Sequence, residues 1–229
     1  QRPLSPLWEE MERMGCTLSR PTPDTIRCLG KLRPGAYFID GSVSSQFISG
    51  LMFAHSILPG CTLTVTGGVE SEPYIEMTRQ AIANSAQVIT VEGDWSNGAF
   101  WLAAKALGSD LDVRNLDPDS PQGDRAAAVL LNQLSDRITI DAAHIPDLVP
   151  ILAVAAAARR GADFTSIRRL RLKESDRVES TINLLTALGG KAEATEDTLT
   201  VFGTGLRGGT VDACNDHRIA MSAAIAATV

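Results

Sequence analysis

Aromatic residues, histidine and any surplus of positive charge are what this 229-residue sequence has least of. Phe, Tyr and Trp make up 5% of it and there are three histidines. Lys and Arg number 21 against 27 Asp and Glu, a formal net charge of -6. That balance excludes a protein that binds nucleic acid by broad phosphate neutralisation, and any anion site must be local. Cys16, Cys28, Cys61 and Cys214 are scattered, with no C-x-x-C and no histidine cluster beside them. They read as reduced, packed thiols, not as a zinc site or a disulfide framework, and no metal or cofactor is expected. The longest apolar run, Leu148 to Ala158, contains Pro150 and is too short to span a bilayer. With no signal-peptide pattern either, the expectation is a cytoplasmic protein without membrane or nucleic-acid partners.

Local positive charge is present in one stretch, Ile167-Arg-Arg-Leu-Arg-Leu-Lys-Glu-Ser-Asp-Arg177. Leu170 and Leu172 alternate with Arg169, Arg171 and Lys173, a period of two that predicts a half-buried strand. Val178, Ile182, Leu185 and Leu188 then recur at helical spacing until Gly189-Gly190. Cations thus converge on a helix N-terminus, a place suited to anions by its free N–H groups. A solvated basic edge strand is the competing explanation.

Around that stretch the chain repeats itself. Ile39-Asp40-Gly41 is matched by Val91-Glu92-Gly93, Ile140-Asp141-Ala142 and Val211-Asp212-Ala213, each predicted as a strand end followed by an apolar helix. Further strands are predicted at Leu63–Thr66, Leu111–Arg114 and Ile167–Lys173, each followed by a helix opening at Ser71, Ser120 or Ser175. Hairpins precede Asp40 (Cys16–Ser19 with Thr25–Leu29) and Asp212 (Lys191–Ala194 with Leu199–Phe202). The unit is strand–helix–strand–helix–hairpin. Two copies look incomplete, because few residues separate Gln80 from Glu92 and Gln133 from Asp141.

Seven segments, in order, resemble the enolpyruvyl transferase family, most closely its shikimate-pathway branch. They are Arg2-Pro3, Asp40 to Phe47, Ser71-Glu-Pro-Tyr74, Val91 to Asp94, His144 to Asp147, Leu172 to Arg177 and Asn215 to Met221. The resemblance implies an α/β, two-domain fold of repeated β-α-β-α-β-β units, an inside-out α/β barrel with helices inside and sheets outward. Here it would be incomplete at both ends, with residues 1–91 part of the N-terminal-type domain and 92–229 part of the C-terminal-type domain. The implied reaction transfers the enolpyruvyl group of phosphoenolpyruvate to the 5-hydroxyl of shikimate 3-phosphate and releases phosphate, in a monomer. The sister reading is a UDP-N-acetylglucosamine enolpyruvyl transferase; a different class is a non-catalytic fragment or binding module.

Such a reaction needs cations and N–H donors for two anions, a base for the hydroxyl and a proton donor for the enol carbon. The resemblance assigns shikimate 3-phosphate to Ser44, Ser45, Gln46, Ser71, Tyr74, Asp147 and Lys173. It assigns phosphoenolpyruvate to Arg2, Gln46, Arg177 and Arg218, and catalysis to Asp147 as base and Glu174 as proton donor. On residue type alone Ser44, Ser45 and Asp147 are equally good helix caps, and the arginines equally good surface ion pairs. Arg169 departs from the family pattern, in which some members carry Asn. Lysine, arginine and Asn-Ala-Gly-Thr segments that line the family's site have no counterpart here, so this chain by itself is expected to be inactive.

Overall fold

The computed structural model describes residues 4–69, 71–85 and 90–229. Its packing divides the chain into two compact units, with the division between Ile89 and Thr90.

The first unit starts with helix α1 (Leu7–Arg13), which stops at Gly15 (φ +110), and the antiparallel hairpin β1 (Cys16–Thr22) with β2 (Thr25–Gly30). Strand β3 (Ala36–Asp40), helix α2 (Ser45–Ile57), strand β4 (Thr62–Thr66) and helix α3 (Glu72–Ala83) follow. β3 and β4 pair in parallel from Ala36 opposite Thr62 to Asp40 opposite Thr66. Alternation on β3 turns Tyr37 and Ile39 inward, where they pack with Met14, Phe47, Ile48, Leu51 and Ile75. α2 and α3 are tied by the Thr78 hydroxyl donating to Ser49 Oγ at 2.8 Å.

The second unit begins with α4 (Trp95–Ala106), capped by the Asp94 carboxylate, and α5 (Ala127–Gln133). Then come β5 (Ile138–Asp141), α6 (Val149–Ala157), β6 (Gly161–Thr165), α7 (Arg177–Ala187), β7 (Lys191–Ala194), β8 (Thr198–Phe202) and α8 (His217–Ala226). The sheet order is β5-β6-β8-β7, with β5 and β6 parallel and β8 antiparallel to both its neighbours. Every residue of α6 is buried, as an all-round apolar helix must be. The sheet lies on one side of it and α4, α7 and α8 pack around it. The other sheet face carries Thr139, Asp163 and Thr200 among partly or fully exposed residues, cross-linked by Arg137 and Thr200 to the Asp163 carboxylate at 2.7 and 2.8 Å. In this unit the helices are therefore inside and the sheet outward, as expected.

β5-α6-β6-α7-β7-β8 is one full β-α-β-α-β-β unit, and β3-α2-β4-α3 repeats its first four members. The copies share a turn. Asp40, Asp141 and Asp212 each accept through Oδ1 from the backbone N–H two residues on (Ser42, Ala143 and Cys214), at 2.9, 3.0 and 2.8 Å. The N–H groups of Gly41, Gly93 and Ala142 reach across to the carbonyls of Thr66, Asn115 and Thr165, at 2.9 to 3.0 Å.

Five expectations are corrected. Ile167–Lys173 is not a strand: Ser166 turns left-handed (φ 58) and ends β6, and Arg168–Leu172 is a 3-10 turn. Its apolar contacts run at a period of three, Ile167 and Leu170 buried, while Leu172 is 47% exposed. Leu111–Arg114 and Val91–Gly93 are not strands either, because their pairing shrinks to the single Gly93–Asn115 bond. Val211–Ala213 keeps its turn but has no strand. The helix expected from Ser120 starts later, as a 3-10 turn at Gly123–Ala126 running into α5.

Candidate active site

In the first unit the predicted residues stand where β3 and β4 end and α2 and α3 begin, the carboxyl edge of the parallel pair, where open α/β sheets take their ligands. Ser44 caps α2, its Oγ accepting from Gln46 N at 3.3 Å, and Ser45 behind it is buried. Gln46 is exposed and Tyr74 half-buried. Ser71 occupies the N-cap of α3 without capping it; it is buried and left-handed, φ 57. A non-glycine residue holds that conformation only where its surroundings over-determine it, a state concentrated at functional sites. The loop before it comes close to β3: at Gly67 (φ +73) an added Cβ would lie 2.5 Å from Asp40 Oδ1, so glycine is required there.

The second unit repeats the arrangement with charge. Asp147 lies in the 3-10 turn Pro146–Leu148 ahead of α6, Lys173 to Asp176 between β6 and α7 with Arg177 opening α7, and Asp216 and Arg218 at the start of α8. Asp147 caps nothing with its side chain. Its Oδ1 accepts from Arg177 at 2.8 Å and Lys173 at 3.3 Å, its Oδ2 from Arg218 at 3.1 Å. Burial pushes the Asp147 carboxyl up, but Lys173, Arg218 and Arg177 together outweigh it and hold the group well below the usual carboxylate range.

Arg177 is the hub. Its side chain is 1% exposed, and its guanidinium reaches three carboxylates: Asp147, Glu174 at 2.6 Å, and Asp216 through Nε at 2.9 Å and a terminal nitrogen at 3.3 Å. Burial works against its charge, yet the pairing with Asp216, Asp147 and Glu174 raises its pKa above the ordinary arginine value. Glu174 is paired but remains one third exposed, at 34%. Lys173 and Arg218 are more open than Arg177, at 16% and 11%. Thus Asp147, Lys173, Glu174, Arg177 and Arg218 converge in one unit, and Ser44, Ser45, Gln46, Ser71 and Tyr74 stand together at the edge of the other. Arg2 lies outside the described residues.

Sequence reasoning missed Asp216. It is fully buried, accepts from Arg177, from the Ser175 hydroxyl at 3.2 Å and from Arg218 N at 2.9 Å, and caps α8. Burial raises its pKa and the Arg177 guanidinium more than reverses that, leaving it low. Asp before an apolar helix reads as a cap, which it is; the signal for more was the cation two residues on. Among the described residues no group of three or more His, Cys, Asp and Glu could hold a metal, and no helix is long and apolar enough to cross a membrane.

Fold and site together define an α/β protein with one full β-α-β-α-β-β unit and a partial copy of it, each with a polar edge where its strands end and its helices begin. The sequence profile of the EPSP synthase (3-phosphoshikimate 1-carboxyvinyltransferase) family matches residues 80–229, and the chain belongs to that family. It is 35% identical over 269 residues to 3-phosphoshikimate 1-carboxyvinyltransferase of Clostridium novyi (strain NT), covering 98% of this chain and 61% of that protein. The protein of the same name from Methanospirillum hungatei JF-1 is 32% identical over 275 residues, 98% of this chain and 64% of its own length. Both alignments run over more positions than the chain's 229 residues, so the relatives carry internal segments that this chain lacks. Neither bears the name of the sister transferase.

Proposed function

We propose that this chain carries the enolpyruvyl-transfer machinery of its family, acting on shikimate 3-phosphate and phosphoenolpyruvate. The observation that carries the reading is Asp147, a carboxylate that serves no cap and is instead ringed by Lys173, Arg177 and Arg218. In the first unit Ser44, Ser45 and Ser71 offer hydroxyls and helix-start N–H groups to the shikimate phosphate, with Gln46 and Tyr74 beside them. In the second unit Lys173 and Arg218 are the accessible cations, suited to carboxylate and phosphate. Arg177 is buried and holds Asp147 and Glu174 in place, so its share in binding phosphoenolpyruvate would be electrostatic. The two units are read as parts of the family's N-terminal-type and C-terminal-type domains, in a cytoplasmic monomer.

The chemistry follows from the pairing. While Lys173 and Arg218 point at Asp147 it is a weak base. Substrate anions compete for those cations, and each one drawn away raises the basicity of Asp147 as the substrate hydroxyl arrives. The hydroxyl oxygen bonds to the enol carbon, its proton passes to Asp147, and Glu174 delivers a proton to the methylene carbon. Glu174, now a carboxylate, takes back a methyl proton, the C–H electron pair forms the new C=C bond, and the carbon–oxygen bond to phosphate breaks, which releases inorganic phosphate and leaves the enol ether. Calorimetric titration with shikimate 3-phosphate tests the binding half of this reading. Lys173→Met should weaken binding by about 1.5–3 kcal/mol, the usual worth of a charge-assisted hydrogen bond. Unchanged affinity would remove Lys173 from the site.

A further inference from the structure

We infer that Asp216 is a positioning residue for this site: a buried carboxylate, out of reach of substrate, that fixes Arg177 and, through the start of α8, Arg218 about Asp147. The inference rests on reading the Asp147 cluster as the transferase site. Asp216 bonds three segments at once: Ser175 in the loop before α7, Arg177 in the first turn of α7, and the Arg218 N–H in the first turn of α8. Ser180, one turn further along α7, supports Ser175 in turn, donating to its Oγ at 3.0 Å. Arg177 carries its charge with 1% of the side chain exposed, and a guanidinium cannot shed its proton to escape burial. Something must neutralise it permanently. Asp147 and Glu174 serve poorly, because both must be free to face a substrate; Asp216, at 0% exposure, faces none.

This divides the cations by role. With the Nε edge of Arg177 committed to Asp216, that arginine stays put when anions bind, and Lys173 and Arg218 are left to respond. Without Asp216 the uncompensated guanidinium would draw Asp147 and Glu174 onto itself, and α8 would no longer aim Arg218.

Asp216→Asn separates this role from capping, since asparagine is an equally good N-cap of similar size. In the 15N-labelled chain, the Arg177 Nε–H of the Asp216→Asn variant should exchange with solvent about tenfold faster or more, the order expected when a charge-assisted bond is lost. The thermal midpoint should fall, because a buried charge pair is broken, while α8 amide protection relative to the rest of the chain should hold. Unchanged Arg177 exchange overturns the inference, as does loss that merely parallels unfolding of α8. Should loss of this buried partner prevent folding, Arg177→Met with Asp216→Asn removes both members of the buried pair together. That double variant should fold and bind shikimate 3-phosphate about tenfold more weakly although neither residue touches it; native affinity would overturn the inference. If the unmodified chain binds no shikimate 3-phosphate while Arg177 exchange still responds to Asp216→Asn, the functional reading fails and the positioning role stands.

Discussion

At the scale of single residues, Asp147 links stability to acidity. Its folded-state pKa is depressed, so its stabilisation is complete above the unfolded carboxylate value, about 4. It is lost as pH falls through the range below that value toward the folded pKa. Asp147→Asn leaves Lys173, Arg177 and Arg218 without their shared counter-charge and should cost about 3 kcal/mol near neutral pH, the scale of a broken buried pair. The difference between native chain and variant should shrink steadily when urea unfolding is repeated from about pH 5 down to about pH 3. A constant difference would mean that Asp147 acts by packing, not charge. Ser222 offers a change of opposite sign. It is fully buried on α8, and its hydroxyl has no hydrogen-bond partner among the described residues. Ser222→Ala removes a buried polar atom that returns nothing and should stabilise by about 1 kcal/mol, read as a raised thermal midpoint. A lowered midpoint would show that the hydroxyl is satisfied in solution.

At the scale of elements, the turn Arg168–Leu172 is the one that can be tested most sharply. Leu170 is fully buried and Leu172 47% exposed. Leu170→Ala should cost about 2–5 kcal/mol and Leu172→Ala less than about 0.5 kcal/mol in denaturant unfolding. A strand would put both leucines on one face and penalise both. The same element shows what was legible in the sequence. Five alternating residues cannot distinguish a period of two from a period of three when one of the apolar pair is exposed, and the left-handed Ser166 that ends β6 carries no mark in the sequence. By contrast β3, β7 and β8 were readable, because turn residues bound their apolar alternation, and so was α6, whose apolar run continues past strand length. Leu111–Arg114 failed for a different reason: a strand exists only with a partner, and local pattern cannot reveal that Val91–Gly93 supplies a single bond. In the site, Lys173, Glu174 and Arg177 were legible as charges gathered at a helix start, and Asp147 through resemblance alone. The bonds that join Arg177 and Ser175 to Asp216 span 39 and 41 residues, a separation over which residue type gives no signal.

At the scale of the whole molecule, charge should set the limit on the proposed activity. The second-unit cluster holds three cations, Lys173, Arg177 and Arg218, against three carboxylates, Asp147, Glu174 and Asp216. Arg171, nearby, is committed to Asp176 at 3.1 Å. The first-unit edge offers hydroxyls and N–H groups through Ser44, Ser45 and Ser71. A cluster neutral in itself has little surplus with which to hold two polyanions. The 229 residues span 61% of the Clostridium novyi relative, and the resemblance assigns further cations to segments outside them. Binding of shikimate 3-phosphate to this chain should therefore be weak and should fall as salt rises, since exposed charges are screened over about 8 Å at physiological ionic strength. Turnover should suffer more than binding, because the transition state depends on preorganised charge about both anions. Two missing cationic contacts, each worth as much as an oxyanion donor, amount to about 4 kcal/mol or about a thousandfold in rate. The measurement is phosphate release from shikimate 3-phosphate and phosphoenolpyruvate, comparing this chain with one in which the relatives' additional segments have been restored. A gain of that order supports the account. Equal turnover would mean that Lys173, Glu174 and Arg218, with Arg177 locked behind them, already supply all the charge the reaction needs.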